Sequence, residues 1–160
     1  MTERLRRTIA WWEIVCGFLG FAAFGIPAMD WPSGSRRILV DVVGPVNIFL
    51  GILFFAVTIA AGVVLKRGER RGLLWSTVCQ ALQVVSFSVR NGPMVAVHSG
   101  PQIGVVVAPY AFEAKVGFDS QFFLGTQTSG IPWELTINIL ALVWTVLLIR
   151  EIRRPAVHPG

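Results

Sequence analysis

The longest hydrophobic stretches of this chain are four runs of 17 to 21 residues. The runs extend over Ile9 to Ala28, Pro45 to Leu65, Leu73 to Val89 and Trp133 to Ile149. At a rise of about 1.5 Å per residue, a helix of this length crosses the roughly 30 Å hydrocarbon layer of a bilayer. Because a backbone in lipid must satisfy its own hydrogen bonds, the pattern predicts four transmembrane helices.

The segment between the third and fourth runs, residues 91–132, has a different pattern. Apolar and polar residues alternate from Phe112 to Asp119, which places Phe112, Val116 and Phe118 on one face, as is typical of a half-buried strand. Two further β-rich runs flank a turn-like Ser99 to Gln102. We therefore expect a small antiparallel sheet of about three strands outside the membrane.

Composition supports a membrane protein. Hydrophobic residues make up 54% of the 160 residues, charged residues only 14%, and the mean hydropathy is +0.65. Ordinary soluble domains are nearer to ~45–50% apolar and ~25% charged, and disordered chains are poor in apolar residues. The predicted fold class is all-α transmembrane: a single domain over residues 1–160, forming a four-helix membrane bundle with a small extracytoplasmic antiparallel β element between its third and fourth helices.

The distribution of charge predicts an orientation. The net charge is +5, and ten of the fourteen Lys and Arg residues lie in the two termini and in the loop between the second and third runs. The positive-inside bias places that side in the cytoplasm, which gives a multi-pass protein of the plasma (inner) membrane with both termini cytoplasmic. The basic residues do not form one stripe, so nucleic acid is not an expected partner.

Polar residues within the third and fourth runs are candidates for a functional site, because polar groups in lipid are costly. They are Ser76, Gln80, Gln83 and Ser86 in the third run and Glu134 and Asn138 in the fourth. One interpretation is that this stripe lines a ligand or ion path. The other, which we favour, is that it joins helices through hydrogen bonds.

No motif indicates catalysis, a metal or a cofactor. The glycine-rich nucleotide loops, the nucleophile elbow and the zinc-protease motif are absent from the sequence. The carboxylates Glu13 and Glu134 are expected at opposite faces of the bilayer, and neither histidine has a second ligand at metal-binding spacing. Cys16 and Cys79 lie inside apolar runs, where cysteine usually behaves as a small hydrophobe. We therefore expect neither an enzyme nor a cofactor-binding protein.

The function that remains is structural. The sequence predicts a non-enzymatic integral membrane protein, an accessory or scaffold subunit that docks to or assembles within a larger membrane complex. Its partners would be membrane lipids and other integral membrane proteins or itself. The expected docking residues are Phe112, Val116, Phe118, Phe122 and Phe123. The open alternatives are that this apolar face packs on the protein's own helix ends, and that the chain is a small transporter or ligand-binding membrane protein using the polar face of the third helix.

Overall fold

The computed structural model describes residues 1–30, 44–127 and 132–154, and this part of the chain contains four helices and four strands. The helices are α1 (Glu3–Asp30), α2 (Pro45–Lys66), α3 (Arg70–Leu82) and α4 (Ile139–Ile152). The strands are β1 (Val85–Val89), β2 (Gly92–Ala108), β3 (Ala111–Gln127) and β4 (Trp133–Asn138). The prediction of an all-α four-helix membrane bundle is therefore wrong: the chain combines helices with a substantial antiparallel sheet.

The third and fourth apolar runs each change structure part-way. The run from Leu73 to Val89 is helical only as far as Leu82, and Gln83 caps the helix before β1 begins. The run from Trp133 to Ile149 begins as strand β4, and Asn138 then starts α4 by accepting a hydrogen bond from the Ala141 N–H. β-Branched residues around these junctions favour strand over helix, although the apolar run itself continues without a break.

This change of structure also overturns the multi-pass prediction. Within the residues that the structure describes, one helix is long and apolar enough to cross a membrane, namely α2 (Pro45–Lys66). Helices α3 and α4 have 13 and 14 residues, so each spans only about 20 Å. The four-span arrangement, and with it the location of both termini deduced from an even number of spans, does not hold.

The sheet has the strand order β1-β4-β2-β3, with a further pairing between β1 and β2. Strands β2 and β3 form one long hairpin whose register is unbroken from Gly92 opposite Gln127 to Ala108 opposite Ala111. The turn lies at Pro109 and Tyr110, whereas the predicted turn at Ser99 to Gln102 is part of β2. Residues 128–131, at the end of the segment predicted to form the outer element, lie outside the described residues.

Two hydrophobic clusters hold the fold together. One lies where the helices meet and is built on Ile9, Ala10, Leu65 and Leu148. The other joins α2 to the hairpin through Phe54, Phe55, Val97 and Phe122. The first cluster packs the helices against one another, and the second fixes the sheet on the helices.

Candidate functional site

The polar stripe of the third run meets a buried carboxylate on α1. Glu13 is fully buried, and its two carboxylate oxygens accept hydrogen bonds from the Ser76 hydroxyl, at 2.6 Å, and from the Gln80 amide, at 3.1 Å. Both donors lie on α3 at i and i+4, and therefore on one face of the helix. A buried carboxylate is tolerated only when such donors surround it, so the three side chains act together to join α1 to α3.

Gln83 extends this connection from the helices to the sheet. Its side-chain oxygen accepts a hydrogen bond from the Ser99 backbone N–H at 2.8 Å, and its amide nitrogen donates to the Cys79 carbonyl at 3.1 Å. Gln83 is only 3% exposed, so both bonds are shielded from water. The contact therefore stabilises the packing of α3 against strand β2. The sequence pattern does not predict that these two elements are adjacent.

Ser86 lies on β1 and forms a different polar site, which sequence analysis missed. Its hydroxyl lies 3.1 Å from Nε2 of His98 on β2, and both side chains are buried. Together with Thr136, Glu134 and Lys115 they line a cavity of about 70 Å³, room for only a few water molecules. A serine next to a histidine is also the combination used in nucleophilic catalysis.

Glu134 and Asn138 lie on β4 rather than on a helix. Glu134 is paired with Ser88 in the β1–β4 register and lines the same cavity as His98. Asn138 is buried and caps α4, because its Oδ1 accepts the Ala141 N–H at 3.2 Å. The six residues of the predicted polar stripe are thus divided between a helix-joining cluster, a sheet cavity and a helix cap.

The predicted docking residues are divided in a similar way. Phe112, Val116 and Phe118 are 76%, 79% and 58% exposed and lie on one face of β3. Phe122 is buried, with its ring centroid 5.7 Å from that of Phe54, and Phe123 is half-buried opposite Ala96. The exposed apolar surface of the hairpin therefore lies near its turn, whereas the hairpin's other end packs on α2.

The helices have an exposed apolar surface of their own. Among the side chains that the structure describes, sixteen large hydrophobic ones are exposed, and they are distributed over all four helices. They are Trp11, Val15, Phe18, Leu19 and Phe21 on α1, Val46, Phe49 and Leu53 on α2, Leu74, Trp75, Val78 and Leu82 on α3, and Ile139, Leu142, Val143 and Val146 on α4. We call these sixteen residues the apolar girdle. Exposed apolar side chains in such numbers make the helix surface a candidate for contact with a membrane or with a partner protein.

One end of the helices is strongly basic. The N-terminal ammonium of Met1 bonds to Glu151 at the end of α4, which holds the pKa of that carboxyl below its usual range. Gly68, between α2 and α3, lies against the Arg6 guanidinium, so these contacts bring the ends of all four helices together. This basic end contains three acidic residues and ten basic ones, namely Arg4, Arg6, Arg7, Lys66, Arg67, Arg70, Arg71, Arg150, Arg153 and Arg154.

An apolar groove runs between α1 and the hairpin. It has a volume of about 540 Å³ and is lined by Trp11, Trp12 and Val15 from α1 and by Pro101 and Phe118 from the hairpin. Arg7 lies at the groove, and Lys66 packs over the Trp11 ring, 4.1 Å from its centroid. The groove is large enough for an aromatic side chain or a small ligand.

No family model, curated protein or solved structure matches this chain. Over residues 1–30, 44–127 and 132–154 there is no group of three or more His, Cys, Asp or Glu side chains that could hold a metal ion. Cys16 and Cys79 are both buried and free. Within the described part of the chain, the candidate surfaces for a partner are the apolar girdle, the basic end, the exposed face of the hairpin and the groove beside it.

Proposed function

We propose that this chain is a non-enzymatic, lipid-associated accessory protein that attaches to a bilayer through its helices and assembles with protein through its hairpin. The observation that carries the proposal is the apolar girdle, because sixteen exposed large hydrophobic side chains on four helices need a non-aqueous surrounding. Helix α2 adds to this surface and is, within the described residues, the one helix long and apolar enough to cross a membrane.

The basic end supports the choice of lipid as the surrounding. Anionic headgroups attract Lys and Arg near a membrane surface by about 1 kcal/mol per residue, and ten such residues lie at this end against three acidic ones. Trp11 and Lys66 lie together at that end of the girdle, where indole rings and basic side chains favour the membrane–water interface. Charge and hydropathy thus complement a bilayer with anionic lipids.

The polar residues support a structural function rather than transport or catalysis. Glu13, Ser76, Gln80 and Gln83 direct their side chains to one another or to the backbone of the same chain. Hydrogen bonds of this kind join helices and strands, and they occupy the groups that a ligand path would need.

Vesicle flotation tests the proposal. The protein, purified in mild detergent, is mixed with phosphatidylcholine vesicles with or without phosphatidylglycerol, and the detergent is removed. We expect the protein to float with the vesicles, with a larger bound fraction when phosphatidylglycerol is present.

A pair of matched variants tests the surface that is involved. Val78→Glu places a charge in the apolar girdle, whereas Val89→Glu makes the same change at an exposed residue of β1. A charge in lipid costs about 2–3 kcal/mol, so Val78→Glu should reduce the floating fraction while Val89→Glu should not. A protein that stays in the aqueous fraction, or two variants with equal effects, would refute lipid attachment through the helices.

A further inference from the structure

Strand β3 is at the edge of the sheet, and its outer edge is covered at one end. There, the Asn47 side chain of α2 donates to the Leu124 carbonyl and accepts from the Leu124 N–H, both at 2.8 Å. Leu124 therefore directs its backbone polar groups away from β2. Because this direction alternates along a strand and the β2–β3 register is unbroken, Phe112, Ala114 and Val116 direct theirs outward as well.

The other end of this edge, near the hairpin turn, is exposed, and the residues whose backbone groups point outward have apolar side chains. Phe112, Ala114 and Val116 are all exposed there, and Tyr110 in the turn is 97% exposed. A long apolar edge with outward-directed backbone groups is a template on which another strand can pair. Natural proteins usually cover such an edge or place repelling charges on it. The charges on this part of the edge, Glu113 and Lys115, are opposite in sign, so they can pair with a second strand instead of repelling it.

We propose that the partner is a second copy of this chain, paired through β3 in antiparallel orientation about a two-fold axis at Ala114. An interface of this kind is isologous, because each copy presents the same strand to the other. The two hairpins would then form one continuous sheet, a mode of assembly that uses backbone hydrogen bonds for affinity and side-chain pairs for specificity.

The side chains of β3 are complementary in this register. Glu113 of each copy lies opposite Lys115 of the other, and Phe112 lies opposite Val116, an aromatic residue facing a β-branched one. Moving the axis by one residue would place Glu113 opposite itself or Lys115 opposite itself, and directly opposed like charges destabilise a strand pair. Of these three registers, charge therefore favours the one centred on Ala114.

The groove beside α1 supports the same arrangement. In this register Tyr110 of the second copy lies opposite Phe118, which lines the groove together with Trp11 and Trp12. The groove's volume of about 540 Å³ accommodates an aromatic ring, and Arg7 lies within it as a donor for a phenol oxygen. The pairing would cover both the most exposed aromatic residue of the hairpin and the apolar groove.

Charge exchange tests the pairing. This pairing rests on the proposed function, because it names the protein partner with which the chain assembles. The oligomeric state is measured in mild detergent by analytical ultracentrifugation, so the result does not depend on whether the protein attaches to lipid. Glu113→Lys should raise the dimer Kd about tenfold or more, since both pairs become repulsive. The double variant Glu113→Lys with Lys115→Glu should restore the Kd to within about threefold of the unmodified protein.

Cross-linking tests the register. In Ala114→Cys, the new thiol lies opposite its own counterpart and should form an intermolecular disulfide on mild oxidation. In Gly117→Cys, at a position that is also exposed, the thiol lies about 20 Å from its counterpart and should not form this disulfide. A monomeric protein, equal cross-linking at both positions, or a double variant no better than Glu113→Lys would overturn the pairing. Circular dichroism checks that each variant keeps its fold.

Discussion

The bond between Gln83 and Ser99 leads to a quantitative prediction about stability. Gln83→Leu removes the acceptor of the buried Ser99 N–H and the donor to the Cys79 carbonyl. An orphaned buried N–H costs about 1–3 kcal/mol, of which the added apolar surface of leucine offsets a part. The expected net loss is about 1–2 kcal/mol, or roughly 2–8 °C in Tm for a chain of this size.

The assay is thermal and urea unfolding in mild detergent, with Ser99→Ala as the matched control. The Ser99 hydroxyl is buried and has no hydrogen-bond partner among the described residues, whereas alanine keeps the backbone N–H that Gln83 accepts. Ser99→Ala should therefore be neutral or slightly stabilising. Gln83→Met, which retains an unbranched side chain, should lose about as much stability as Gln83→Leu. Two results would contradict a stabilising bond between Gln83 and Ser99. One is a free energy of unfolding of Gln83→Leu equal to that of the unmodified protein, and the other is a lower free energy of unfolding for Ser99→Ala than for Gln83→Leu.

Two further substitutions test the packing. Phe122→Ala should cost about 3–5 kcal/mol in urea unfolding because the ring packs on Phe54, whereas Phe123→Ala, at a half-buried position, should cost clearly less; equal losses would contradict the observed burial. Gly62→Ala should lower Tm although alanine favours a helix by up to about 1 kcal/mol, because its Cβ would lie 2.7 Å from the Ala10 carbonyl oxygen. An unchanged or higher Tm would show that α1 and α2 can separate without cost.

The sequence predicted local periodicity better than the ends of the elements. The alternation through Phe112, Val116 and Phe118 corresponds to strand β3, and those residues share an exposed face. The run from Leu73 to Val89 predicts a single helix, whereas in the structure a helix and a strand follow each other there with only Gln83 and Val84 between them. A continuous apolar run has the same composition in either structure, so its length alone was misleading.

The sites that depend on distant parts of the chain could not be predicted. Ser86 and His98 meet because β1 and β2 are brought together in one sheet, and no spacing along the sequence signals that pairing. Phe122 is buried only because Phe54 of α2 packs on it, although the sequence pattern gave it the same expected role as Phe118. The alternation of Ser86 and Ser88 with apolar neighbours was the one local signal for β1, and it was present in the sequence.

The direct passage from helix to strand has a mechanical consequence. Helix α3 leads into β1, β4 leads into α4, and β1 and β4 are paired over five residues, from Val85 opposite Ile137 to Val89 opposite Trp133. Packed helices alone can slide past each other by 1–2 Å, but a strand pair keeps its side-chain faces only if it slips by two residues, about 7 Å. The β1–β4 pair therefore prevents small sliding movements between α3 and α4. A force applied to either helix is transmitted to the sheet.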